Sequence, residues 1–300
     1  MKHRSVLLDE VINYLNVKSN GVYVDATLGY AGHSGEVLKK LNKKGFLFAF
    51  DQDAEAIEYA ETKLSSIASN YKIIKSNFVN MKKFINTKVD GIMFDLGVSS
   101  PQLDEETRGF SFHKDARLDM RMDKDSQLDA WTVVNEYNEQ KLTEIFYKFG
   151  EEKYSKSIAK AIVTNRPINT TLELSEIIKN NVPISYRNMA HPARKVFQAI
   201  RIEVNHELDI LESSLRDAFE LLNVNGRLSV ITFHSLEDKI VSKVFKELCN
   251  DDVNLRKLPI IPEEMKAKAK KIIKLTPEYE EINENNRSRS AKLRVIERIR

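Results

Sequence analysis

Apolar positions along this chain alternate between two periods, and each change of period marks an element. Val6, Leu7, Val11, Ile12 and Leu15 recur at helical spacing and predict a helix over 5–16. A short β-branched run predicts a strand over 22–27. Helix 33–43 follows, with Val37, Leu38 and Leu41 on one face and Gly45 as its stop. The run from Gly45 to Asp53 is almost continuously apolar and ends in acids, as expected of a strand buried on both faces of a parallel sheet. Helix 54–68, strand 71–76, a short helix near 79–85 and strand 89–95 continue the series. Strands alternating with helices predict an α/β, doubly wound, mostly parallel sheet, which binds ligands at the carboxyl ends of its strands.

Beyond residue 104 the alternation stops. Residues 104–125 are polar and loop-like, with a dense charge cluster from Arg117 to Asp123, and helices are predicted over 138–149, 153–165, 171–181 and 192–201. The pattern divides the chain into a core, 1–103 with 202–300, and an inserted all-helical subdomain, 104–201. Val204, Leu208, Leu211, Leu215, Phe219 and Leu222 keep core spacing, so one helix over 192–222 is expected to run back into the core. Asn225-Gly226 predicts a turn, 227–233 a strand, 238–249 a helix, 251–285 irregular chain and 292–299 a closing strand.

Composition narrows the class. With 300 residues, 42% hydrophobic and 30% charged, the chain has the balance of an ordinary soluble globular protein. The apolar run at the start is too short for a signal peptide and no segment reaches membrane-spanning length, so a cytoplasmic protein without a membrane partner is expected. The single cysteine, Cys249, excludes an intrachain disulfide, fits a reducing compartment and reads as a small buried hydrophobe. Net charge is +3, but residues 255–300 carry 13 Lys/Arg against 7 Asp/Glu, leaving the remainder at −3. Such a tail suits a polyanionic partner, and charge alone equally allows a solvated lysine-rich face. The 6 histidines (His3, His33, His113, His191, His206, His234) show no metal-ligand spacing with the cysteine, and no metal is expected.

The chemistry gathers at the predicted strand ends. Residues 22–33 form a strand, a glycine-containing turn at Gly29 and Gly32, and a helix start, a cradle in which backbone N–H groups face a polar ligand. Asp25, Asp51 and Asp95 end three of the four strands, and Asn77-Phe78 follows the other. Asp51 directly follows its apolar run, 19 residues after Gly32, and is better placed than Asp53 to hold ribose hydroxyls. The turn lacks the G-x-G-x-x-G spacing of a pyrophosphate site, and Asp25 would repel a pyrophosphate, whereas the cationic sulfonium of S-adenosylmethionine suits an acidic mouth. That reading is preferred, with a nicotinamide dinucleotide as the alternative. Ser99-Ser100-Pro101-Gln102 loosely resembles the strand-end motif of methyltransferases acting on exocyclic base nitrogens; a plain Ser-Pro turn is the alternative. His234, in a strand-end loop, is the best catalytic candidate among the histidines, set against a structural role.

Six blocks together resemble the RsmH (MraW) family: Val24–Ser34, Asp95–Asp104, Leu118–Asp123, Phe197–Asn205, Phe233–Asp238 and Arg289–Arg294. Members methylate N4 of a cytidine in the decoding region of 16S ribosomal RNA. The resemblance implies a class I S-adenosylmethionine-dependent methyltransferase fold, Rossmann-like, with the helical insertion. It implies that Ala31, Gly32 and His33 hold the cofactor through the turn, Asp51 its ribose and Phe78 its adenine, with Asp95 and Gln102 completing the pocket. One departure is Tyr30-Ala31-Gly32, where many relatives carry further glycine; the fit to the family is expected to hold if Ala31 has negative φ and to weaken if it is positive. His3, Ser99, Ser100, Pro101, His234 and Ser235 are expected around the cytidine. Arg117, Arg121, Arg194, Arg201, Arg287, Arg289 and Lys292 are expected to grip RNA. The target base must leave its stack. The implied partner is small-subunit rRNA within an assembled or nearly assembled 30S subunit, and a homodimer stays open. A non-catalytic RNA-binding assembly factor is the alternative from another class, against which stand the intact Asp25, Asp51 and Ser99–Gln102.

Overall fold

The computed structural model describes residues 4–188, 191–251 and 266–300, without the Ser100 side chain. His3 lies outside them. The chain forms two compact units, residues 1–97 with 208–300, and residues 98–207.

The first unit begins with α1 (Leu8–Leu15), β1 (Val22–Asp25), α2 (Gly32–Lys40), β2 (Phe46–Asp51), α3 (Ala54–Ser65), β3 (Tyr71–Lys75), α4 (Met81–Phe84) and β4 (Val89–Asp95). The second holds α5 (Ser100–Asp104), α6 (Ala130–Glu136), α7 (Glu139–Lys148), α8 (Ser155–Thr164), α9 (Thr171–Asn180), α10 (Ile184–Arg187) and α11 (Ala193–Asn205). The first then resumes with α12 (Leu211–Leu221), β5 (Leu222–Thr232), α13 (Ser235–Cys249), β6 (Ala269–Leu275), α14 (Tyr279–Glu284) and β7 (Lys292–Arg298).

One 7-stranded sheet organises the first unit in the order β3-β2-β1-β4-β5-β7-β6. Strands β1 to β5 run parallel, and β7 is antiparallel to both β5 and β6. That order and the single reversed strand are those of the class I methyltransferase fold expected from the sequence. Strand residues alternate between two cores because successive side chains point to opposite faces. Val24, Phe50, Ile92, Phe94 and Val230 pack on one side with Leu215, Phe219, Val241 and Phe245 of α12 and α13. Tyr23, Leu47, Ala49, Met93 and Val295 pack on the other with Val11, Leu15, Val37, Leu38 and Leu64 of α1, α2 and α3. Each such fully buried side chain contributes roughly 1.5–3 kcal/mol.

Several features differ from the sequence expectation or add to it. The helix expected over 192–222 is two helices, because His206 takes a left-handed conformation (φ 52) that ends α11. Core spacing continues across the break, so periodicity could not reveal it. The Asn225-Gly226 turn is a kink inside β5, where pairing with β4 shifts between Val89 and Gly91, so the strand starts at Leu222. In the region read as irregular, β6 lies at the sheet edge, written with lysines (Ala269-Lys-Lys-Ile-Ile-Lys-Leu275) that keep an exposed edge from pairing with other chains. The segment before 138 contains α6, whose start Asp129 caps by accepting the Thr132 N–H at 2.8 Å.

Candidate functional site

Parallel strands place Asp25, Asp51, Asp95 and the Phe233-His234 exit of β5 along one edge of the first unit, and the order reverses between β1 and β4. The loop from Asp25 to Gly32 spans this switch point. Asp25 is only 2% exposed. It accepts the Thr27 N–H at 3.0 Å and the Ser34 hydroxyl at 2.7 Å, so strand end, loop and helix start are tied through one carboxylate. Thr27 also accepts the Asp95 N–H at 2.6 Å, which links β4 to the same loop.

Asp51 accepts N–H bonds from Gly29 at 2.8 Å and Asp53 at 2.9 Å, one on each oxygen. These fix its orientation and leave acceptor capacity for hydroxyl donors. Asp53 is instead consumed as the cap of α3, accepting the Glu55 N–H at 3.1 Å. Past β3, Asn77 caps a short 3₁₀ turn and donates to Gln52 Oε1 at 3.1 Å. This sets half-buried Phe78 edge-on against Phe94, ring centroids 5.4 Å apart. A half-buried aromatic face at a strand end of this edge could pack on a purine.

Ala31 has φ 54 and ψ 39, in the left-handed region, the case in which the sequence reading expected the fit to the family to weaken. The conformation costs about 1–2 kcal/mol for a residue with a Cβ. The methyl is wholly buried among Val6, Leu7, Leu28 and Val37, which offsets part of it. Gly32 is demanded by close approach: a Cβ there would lie 1.8 Å from Ser5 Oγ and 3.0 Å from Ser5 Cβ. The N-terminal segment thus lies against the cradle, and the Val6 carbonyl pairs with His33 Nε2 at 3.1 Å.

That pairing gives the Nε2 proton to the carbonyl and turns the Nδ1 lone pair toward Asp95 Oδ2, 3.6 Å away. Burial pushes His33 down to about 4 and keeps it neutral at neutral pH. Burial, with the charges of Asp25 and Glu237, pushes Asp95 up to about 8. Burial likewise raises Asp25 to about 6 and raises Asp51. Asp95 Oδ1 is buried without a hydrogen-bond partner, while 30% of the side chain remains exposed. A mouth of three carboxylates held above their usual range, one with an unpartnered oxygen, is prepared for a cation.

His234 caps α13, accepting the Glu237 N–H at 3.5 Å. Its Nε2 lies 3.0 Å from Glu237 Oε1, but misaligned for a hydrogen bond. Buried Glu237 accepts the Phe233 N–H at 2.7 Å and is a site residue that sequence reading missed. Its signal was the cap-x-x-Glu spacing, obscured because histidine stands where Ser or Thr is usual. Ser34 was missed likewise, its partnership with Asp25 depending on the loop geometry. Ser235 is exposed at the start of α13, and Arg287 and Arg289 are exposed near the end of the chain. Lys292 pairs with Asp238 at 3.0 Å.

In the second unit, Ser99, Pro101 and Gln102 open α5. Ser99 Oγ accepts the Gln102 N–H at 3.3 Å, and Gln102 Oε1 accepts the Ser99 N–H at 3.0 Å, a capping box rather than a plain turn. Three of the arginines expected on RNA are tied to carboxylates: Arg117 to Asp129 at 2.6 Å, Arg121 to Asp119 at 2.8 Å, and Arg201 to Glu207 through two 2.9 Å bonds. Arg194 is exposed and makes no ion pair among the described residues. Arg201→Ala should therefore cost about 3 kcal/mol of stability by stranding a half-buried Glu207. Arg194→Ala should cost less than about 0.5 kcal/mol. Denaturant melts of the two variants check this, and equal midpoints would refute it.

Among the described residues, no cluster of three or more His, Cys, Asp or Glu side chains fits a metal, and no helix is long and apolar enough to cross a membrane. Residues 1–299 match the MraW methylase family. A protein of Mycoplasma mycoides subsp. mycoides SC named ribosomal RNA small subunit methyltransferase H is 52% identical over 306 residues, covering 99% of each chain. Its namesake in Mycoplasma capricolum subsp. capricolum is 50% identical over 308 residues, again covering 99% of each. A crystal structure of an rRNA methylase from Streptococcus thermophilus aligns over 100% of this chain and 99% of its own, at 12% identity and a TM-score of 0.45.

Proposed function

The chain belongs to the MraW methylase family, and on that premise we propose that it transfers a methyl group from S-adenosylmethionine to the exocyclic N4 of a cytidine in the decoding region of small-subunit ribosomal RNA. The left-handed Ala31 does not count against membership, which spans nearly the whole chain. The relatives' shared name, ribosomal RNA small subunit methyltransferase H, supports rRNA as acceptor, and the six sequence blocks support the cytidine.

The observation that carries the cofactor reading is the acidic mouth at the switch point, with the unpartnered Asp95 Oδ1. A pyrophosphate would be repelled there, whereas a sulfonium and an ammonium are attracted. When bound, S-adenosylmethionine supplies a methyl group on a positively charged sulfur, already activated for transfer. Asp51 accepts from the ribose hydroxyls, and Phe78 packs on the adenine. Asp25 and Asp95 would face the positive charge, and the loop from Thr27 to Gly32 would line the donor site. Little acid–base power is needed from the protein, since holding donor and acceptor together supplies most of the rate. The acceptor amine, once methylated, would release its extra proton to solvent, and His33 stays neutral throughout.

The protein is proposed to act in the cytoplasm on assembled or nearly assembled small subunits. Incubation with methyl-labelled S-adenosylmethionine and either small subunits or total RNA, followed by nucleoside analysis, tests the proposal. Label in N4-methylcytidine is expected, with subunits the better substrate. Label in protein, in DNA or in 5-methylcytidine would refute it.

A further inference from the structure

The second unit carries a cluster of rings, beside the Arg194 already expected on RNA, to which neither the family resemblance nor the strand-end chemistry gives a role. Phe112 stacks on His191 with ring centroids 4.6 Å apart and planes 23° apart, and meets His113 at 4.3 Å. His113 and His191 approach edge-on at 5.2 Å. Buried Phe197 supports Phe112 from α11 at 5.6 Å. His113 is exposed, and Phe112 and His191 are half-buried. The Ala193 N–H donates to His191 Nδ1 at 3.3 Å, which fixes that ring.

Two cations act on the His191 ring. The charges of Arg194 and Lys179 both reach His191. Both side chains are exposed and make no ion pair among the described residues, unlike Arg117, Arg121 and Arg201. Core packing gives no reason to gather two imidazoles on a surface, since such rings pack no better than aliphatic side chains and repel one another when protonated. Flat rings with free cations at their margin are what unpaired bases and their phosphates require.

We propose that Phe112, His113 and His191 form a stacking platform for unpaired RNA bases, with Arg194 and Lys179 taking adjacent phosphates. The choice of RNA rests on the rRNA-methylation reading, but binding at the platform can be measured without methyl transfer. A base lies across the rings in any sequence, because every base has a π face, so the platform holds the strand without selecting the target.

The test uses the full chain and a short, labelled single-stranded RNA carrying 2-aminopurine. Wild-type protein should bind it and quench the 2-aminopurine fluorescence through stacking. His113→Ala and Phe112→Leu should each raise the dissociation constant about tenfold and restore fluorescence, as expected for loss of one stacked base. His113→Tyr, which keeps a ring, should bind as wild type. Arg194→Gln should weaken binding and lower the slope of log affinity against log salt by about one. Thermal melts matching wild type establish that the variants fold. The platform is overturned if 2-aminopurine stays unquenched, if ring variants bind as wild type, or if polyglutamate displaces the RNA as readily as unlabelled RNA does. Unchanged RNA binding by ring variants of a protein that still methylates small subunits overturns the platform and leaves the function standing. Platform-dependent binding by a protein that methylates no RNA upholds the platform and removes the function.

Discussion

Asp51→Ala should weaken S-adenosylmethionine binding by about 1–3 kcal/mol, the range for hydrogen bonds involving a charged partner. This corresponds to a roughly five- to 150-fold rise in dissociation constant. The carboxylate is the last residue of β2, and each of its oxygens already accepts one backbone N–H, from Gly29 and from Asp53. Those bonds hold the remaining lone pairs toward the mouth before any ligand arrives, so little ordering cost falls on binding. Alanine removes the acceptors and also leaves the Gly29 N–H unpaired in the cradle. Asp51→Asn separates the two effects. It retains one oxygen, so the Gly29 or Asp53 bond survives, but it loses the charge and half the acceptor capacity. Its affinity should fall between those of wild type and Asp51→Ala. Calorimetry measures both constants, and melts show whether the cradle has loosened. A dissociation constant unchanged in Asp51→Ala, with the fold intact, would remove Asp51 from the site.

The acids that make this prediction were legible in the sequence because strand ends are. A run such as Phe46-Leu-Phe-Ala-Phe50, short and bounded by a glycine and acids, favours a buried strand, and parallel strands in series bring Asp25, Asp51 and Asp95 to one edge. What the pattern could not show were contacts made by the path of loops. Ser5 reaching Gly32, Val6 pairing with His33, and Ser34 binding Asp25 each join residues whose proximity follows from the turn conformation. The arginines near 117–121 illustrate the converse. Their charge was plain, but whether each faces solvent or a carboxylate depends on a loop in which Arg121 binds Asp119, Lys124 and Ser126 together. The lysine-rich β6 was hidden for a third reason, since an edge strand is protected by the residues that make it look like a tail.

The dissociation constant for S-adenosylmethionine should fall as pH rises from about 6 to about 8 and then level off. Burial, reinforced by Asp25 and Glu237, holds Asp95 up at about 8, and burial holds Asp25 at about 6. At pH 7 the ligand-free site therefore carries a proton on Asp95, with Asp25 largely ionised and His33 neutral. A cation binds best to the ionised pair, so binding expels the Asp95 proton. Linkage of one proton makes affinity rise by up to tenfold per pH unit below 8. With 30% of the Asp95 side chain exposed, solvent screening keeps the slope below that ceiling. Folding stability of the ligand-free protein moves the other way. A carboxyl raised in the folded state stabilises fully below its usual value of 3.8 and loses that contribution as pH rises through about 8. His33, depressed from 6.5 to about 4, stabilises fully above 6.5 and loses its contribution as pH falls through 4. Between 6.5 and 8 the Asp95 loss dominates over the tail of the Asp25 one, so the rise in melting temperature on adding cofactor should grow across that window. Calorimetry in buffers of different ionisation enthalpy should count up to one proton released per cofactor at pH 7, and Asp95→Asn should abolish the release. A constant that stays flat from pH 6 to 8 would show that Asp95 does not face the cation.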